Sequence, residues 1–76
     1  MRKKPYPRNR DIRRAIRAAL RDEVIGPHDL YDKVREILIT EGFYVNLLSV
    51  KRVWILYEKM VRKGFIPDYF DVVVKE

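Results

Sequence analysis

Few residues in this 76-residue chain could attack a bond or hold a metal. There is no cysteine and a single histidine, His28, so neither a disulfide nor a thiolate zinc site can form, and His28 has no second soft ligand beside it. Its place after Gly26 and Pro27 suits a helix start or a loop. Thr40 and Ser49 are the aliphatic hydroxyls, neither lies in a nucleophile motif, and no glycine-rich phosphate loop is present. Asp29 with Asp32, or Asp68 with Asp71, could share a cation, but carboxylates three apart are common on solvated faces. The expectation is a chain that is not an enzyme and carries neither cofactor nor metal.

The chemistry that the sequence does offer is cationic. The net charge is +6 and its distribution is uneven. Residues 1–21 hold nine Lys/Arg against Asp11 alone, residues 22–50 are net acidic, residues 51–63 are basic again and the last thirteen are acidic. Two basic blocks on an otherwise acidic molecule form an electrostatic footprint for a polyanion. The first block supplies Arg2, Lys3, Lys4, Arg8 and Arg10, then Arg13, Arg14, Arg17 and Arg21. Guanidinium groups suit phosphate because their planar fork donates two parallel hydrogen bonds. The second block supplies Lys51, Arg52, Lys59, Arg62 and Lys63.

Elements must hold these charges in place, and the apolar spacing defines them. Pro5 and Pro7 disfavour helix, so residues 1–10 read as an extended, flexible basic arm outside the core. Ile12, Ala15, Ile16 and Ala19 form one stripe of a first helix, from about Arg10 to Asp22, with arginines opposite. Val24 to Pro27 reads as a short extended link. A second helix capped by His28 or Asp29 runs to Glu41, buries Leu30, Val34, Ile37 and Leu38, and stops at Gly42. Phe43 to Leu47 is rich in strand formers and reads as a short strand or a looped turn. The third helix starts at an Ser49 N-cap and turns Val50, Val53, Trp54, Tyr57, Met60 and Val61 inward as far as Gly64. Phe65 and Phe70 also read as core, while Tyr31 and Tyr44 are free to be exposed. Finally, Phe65 to Val74 reads as two β-strands around a Pro67-Asp68 turn.

Three helices followed by a hairpin, with the third helix ending in Tyr57-Glu58-Lys59-Met60-Val61-Arg62-Lys63-Gly64-Phe65-Ile66, resemble the winged helix-turn-helix family. The resemblance is architectural and covers residues 11–74. It implies a mainly α domain, residues 11–76, with a small β-hairpin wing, and a third helix that enters the major groove of DNA. It thereby implicates Ser49, Lys51, Arg52, Ile55, Lys59 and Arg62 as an outward, base-facing surface. The turn before the third helix is longer than the family's. Asp68 and Asp71 make the wing acidic, so it should repel phosphate.

No apolar run approaches the roughly 20 residues needed to cross a bilayer, and no signal peptide opens the chain. A cytoplasmic protein at the nucleoid or ribosome is expected. The absence of glutamine and the abundance of Arg, Lys and Glu resemble the composition of proteins from hot environments. Double-stranded DNA is the expected partner, bound by a small regulator or architectural protein. RNA or ribosomal RNA comes second, and a homodimer or a protein-interaction module with Ile39 and Ile55 as anchors remains a further alternative.

Overall fold

The computed structural model describes residues 4–22 and 26–70. The described residues form three helices: α1 (Asn9–Asp22), α2 (Pro27–Thr40) and α3 (Val50–Arg62). Each begins where a side chain can meet an orphan backbone amide. The Arg8 N–H donates to Asp11 Oδ2 at 2.9 Å, so an acidic third residue holds the start of α1. Gly26 precedes α2 and its N–H donates to Asp29 Oδ2 at 3.3 Å, with Pro27 as the first helical residue. Asp29 therefore stabilises the start from inside the helix, and exposed His28 takes no part in it. Ser49 Oγ accepts from the Arg52 N–H at 3.1 Å and caps α3 as its sequence position predicts.

Two helices end in the same way. Gly42 (φ 92°) and Gly64 (φ 78°) adopt the left-handed conformation that a Cβ would strain. Phe43 N–H then donates to Leu38 O, and Phe65 N–H to Met60 O, each at 2.9 Å. These bonds reverse the chain and place an aromatic residue immediately beyond each helix.

One core joins the three helices. Ile12, Ala15, Ile16 and Ala19 of α1 meet Leu30, Val34 and Leu38 of α2 and Val53, Leu56, Tyr57 and Met60 of α3, with Val45 and Leu48 of the intervening segment closing the end. Full burial of each Leu, Ile or Val is worth about 1.5–3 kcal/mol, and little else can stabilise so short a chain. The stripes on α1 and α2 match their spacing. On α3 the buried face is rotated: Leu56 is inside, Val50 is 51% exposed and Trp54 is only partly covered. No described helix is long and apolar enough to cross a membrane.

The hairpin of the winged-helix expectation is corrected by the structure, because no strand occurs among the described residues. After Gly64 the chain folds back in turns and packs Ile66 and Phe70 on the core. Its polar groups bond to α3 instead of a second strand. Tyr57 Oη donates to Asp68 Oδ1 at 2.8 Å and accepts from the Phe70 N–H at 3.3 Å. Pro67 has no N–H to give a ladder, and edge-on contacts of Trp54 with Tyr57 and Phe70, at 5.2 and 5.8 Å between ring centroids, complete an aromatic cluster. Residues 71–74 of the expected second strand, and Val24 and Ile25 of the expected link, lie outside the described residues. Phe43 to Leu47 is a turn and not a strand, with Val45 buried. The described residues form a small all-helical globule and not a winged helix.

Candidate nucleic-acid interface

At 100° per residue, Arg10, Arg13, Arg14, Arg17 and Arg21 fall within about 100° of arc on α1, opposite the buried stripe. All five are exposed. They line one open cleft of about 340 Å³ whose far wall is Met60 and Phe65, just at the end of α3. Among the described residues, Arg14 alone of the five is engaged with carboxylates, meeting Glu41 at 2.8 Å and Asp11 at 3.8 Å. The Arg17 guanidinium sits over the Phe65 ring, 5.9 Å from its centroid. Arg10, Arg13 and Arg21 have no ion pair or hydrogen bond to a described residue. A rigid helix thus presents a row of cations with little internal competition for them.

The outer face of α3 is differently disposed. Asn9, Ser49, Lys51, Arg52, Ile55, Leu56 and Lys59 line a second open cleft of about 360 Å³. Within it the Arg52 guanidinium donates to Pro7 O at 3.3 Å and to Asn9 Oδ1 at 3.1 Å, and Ser49 is engaged as the cap. Arg62 pairs with Glu58 one turn earlier at 2.9 Å. Lys51 and Lys59 are exposed, and Ile55 is 41% exposed near them.

Residues 5–8 of the basic arm lie against the body. The Tyr44 N–H donates to Pro5 O at 2.9 Å, the Tyr6 ring meets Tyr44 edge-on at 5.2 Å, and Pro7 is buried. Lys4 and Arg8 remain exposed, Arg10 already belongs to α1, and Arg2 and Lys3 lie outside the described residues. Tyr31 is not a free surface aromatic, for its hydroxyl donates to Leu48 O at 2.9 Å.

The expected site residues therefore divide into groups. The α1 arginines gather on one face, whereas Ser49, Arg52 and Arg62 have internal partners. Two features escape sequence reasoning. Phe65 and Tyr69 are 55% and 56% exposed beside Arg17 and Arg21, although apolar spacing turns Phe65 inward. The one signal for Phe65 is its place after Gly64, where the helix has ended and its periodicity no longer applies. The other is the hydroxyl of Tyr57: the ring is buried as its spacing predicts, but burial pushes the hydroxyl up to about 12, with the hydrogen bond to Asp68 adding to the shift. It stays a neutral donor and fastens the segment that carries Tyr69. The chain matches no protein-family model, no curated protein and no solved structure, so its function is argued from this chemistry.

Proposed function

We propose that this protein binds double-stranded DNA through the phosphate backbone, with the α1 arginine ridge as the principal contact and the outer face of α3 beside it. The supporting observation is the set Arg10, Arg13, Arg17 and Arg21, aligned on one helix face with no carboxylate partner among the described residues. Unpaired guanidinium groups on a rigid scaffold bind phosphate without first breaking an internal pair, and each one that does so releases condensed counterions. The net charge of +6 steers the encounter.

Lys51 and Lys59 extend the positive surface, and Ile55, exposed near them, offers an apolar contact to a thymine methyl. Because Arg52 and Ser49 already have partners, α3 has few groups left for reading base edges. An architectural role that recognises backbone and shape fits this better than a sequence-reading regulator. Titration of duplex DNA and structured RNA of equal length at several salt concentrations tests the reading. Four ridge contacts predict a log–log salt slope of about 3–4 on duplex DNA. A slope near zero would reject phosphate binding, and a clear preference for RNA would transfer the same ridge to that ligand.

A further inference from the structure

Beside the arginine ridge, Phe65 and Tyr69 line an open cleft of about 300 Å³ together with Arg17, Arg21 and Pro67. Both rings are more than half exposed, yet both are carried on backbone that is held in place. The turn at Gly64 fixes Phe65 through its N–H bond to Met60 O. Tyr69 lies between Asp68 and Phe70, which are both bonded to the hydroxyl of buried Tyr57. Such rings lose little conformational freedom when a flat ligand stacks on them.

From this juxtaposition we infer that the Phe65–Tyr69 cleft takes a single unstacked nucleobase from a strand whose phosphates lie along α1. The inference rests on the nucleic-acid reading above and adds a preference to it, for a duplex interrupted by an unpaired base. Aromatic faces flanked by cations bind bases irrespective of sequence, because every base has a π-face while the cations hold the adjoining phosphates. Arg17 connects the two functions. Its guanidinium lies over the Phe65 ring and also lines the ridge cleft, so it can meet the phosphate next to a base that stacks on Phe65. An unpaired base enters at the smallest cost, since no base pair has to be opened.

The test uses the full chain and two otherwise identical DNA duplexes, one blunt and fully paired, the other with one bulged 2-aminopurine. Tighter binding of the bulged duplex, by about tenfold, is expected from one base–aromatic stack, with a change in 2-aminopurine emission on binding. Phe65→Ala and Tyr69→Ala should each reduce that preference several-fold and leave the salt slope unchanged, with wild-type helix content by circular dichroism. Phe65→Leu keeps apolar bulk without a ring face and should lose the preference as well. A bulged RNA duplex that shows the same preference, abolished by the same variants, supports the inference and shows that the cleft reads the base face without regard to the sugar. Equal affinity for blunt and bulged duplexes, or a preference retained by Phe65→Leu, overturns the inference and leaves ridge binding intact. No salt-dependent binding to any of these ligands overturns both.

Discussion

Helices α1 and α3 both turn basic residues outward, but the partners of those residues differ. On α3, Arg52 holds Pro7 and Asn9, Arg62 holds Glu58, and Ser49 caps the helix. On α1, Glu41 and Asp11 engage Arg14, and Arg17 faces an aromatic ring, while Arg10, Arg13 and Arg21 are unengaged among the described residues. A count of positive charges would rank the two faces together. Their internal bonds separate them: on α3 the arginines serve the fold and Lys51 and Lys59 stay exposed, whereas on α1 most of the arginine row is available to a ligand.

The largest effect expected from this difference is on binding. Arg13→Gln, Arg17→Gln and Arg21→Gln combined should lower the salt slope on duplex DNA by about 2.7 and affinity at 0.1 M salt by about two orders of magnitude. Glutamine keeps nearly the helix propensity of arginine, so the melting temperature should hardly move. Changing Lys51 and Lys59 together should lower the slope by no more than about 1.8. If the α3 pair lost more than the α1 triple, the ranking of the two faces would be reversed.

The inner face of α3 gives the next effect, and it is one of stability. Tyr57→Phe removes the hydroxyl that Asp68 and the Phe70 N–H share, and should cost about 1–2 kcal/mol in chemical denaturation. Alkali should act at the same place. An unfolded tyrosine ionises near pH 10, whereas Tyr57 in the fold does so near 12. The neutral form is favoured by folding, so this stabilisation is fully present below pH 10 and is lost as pH rises towards 12. Tyr57→Phe should remove that part of the alkaline loss, and identical pH profiles for the two proteins would show that the hydroxyl contributes no such term.

How far these distinctions could be read from the sequence depends on the range of the interactions involved. The stripes Ile12-Ala15-Ile16-Ala19 and Leu30-Val34-Leu38, the stops at Gly42 and Gly64 and the Ser49 cap are local, and periodicity with end chemistry suffices to locate them. The arginine face follows from the same periodicity. Long-range choices were not legible. Arg52 meets Asn9 across 43 positions of sequence, and nothing at either end announces the pairing. The expected hairpin failed for a similar reason: Ile66, Asp68 and Phe70 resemble a strand and turn locally, but the buried Tyr57 hydroxyl bonds the Asp68 carboxylate and the Phe70 N–H, and the core accepts the side chains of Ile66 and Phe70. Burial of Leu56 in place of Val50 shows the rotation that tertiary packing imposes on an apolar pattern with more than one possible inward face.

Arg52→Ala sharpens the comparison by a smaller amount. Its guanidinium bonds are partly solvated, so their loss should cost about 1 kcal/mol, or roughly 4–8 °C in melting temperature for a domain of this size. The arm should loosen with it. Faster amide exchange at Tyr44, whose N–H is bonded to Pro5 O, is the local sign to measure. The salt slope should fall by less than about 1, the value for one lost phosphate contact. A full unit lost without any change in exchange would mean that Arg52 leaves Pro7 and Asn9 to meet DNA, and α3 would then rejoin the binding face.

The smallest effect concerns Arg14, the one α1 arginine bonded to carboxylates among the described residues. Glu41 lies across from α1 and meets Arg14 at 2.8 Å with both side chains well exposed, so the pair should contribute under about 1 kcal/mol to stability. Glu41→Gln removes the carboxylate and returns Arg14 to the ridge, with only the longer 3.8 Å contact to Asp11 left to hold it. The slope on duplex DNA should rise by up to about 0.9 and affinity by a few-fold. Arg14→Gln in the unaltered background should change the slope less than Arg13→Gln does, because Arg14 must first leave Glu41 to reach a phosphate. Equal losses for these two variants would show that the exposed pair opens freely. Internal partners would then no longer decide which cations bind, and charge position alone would have to explain the difference between the faces.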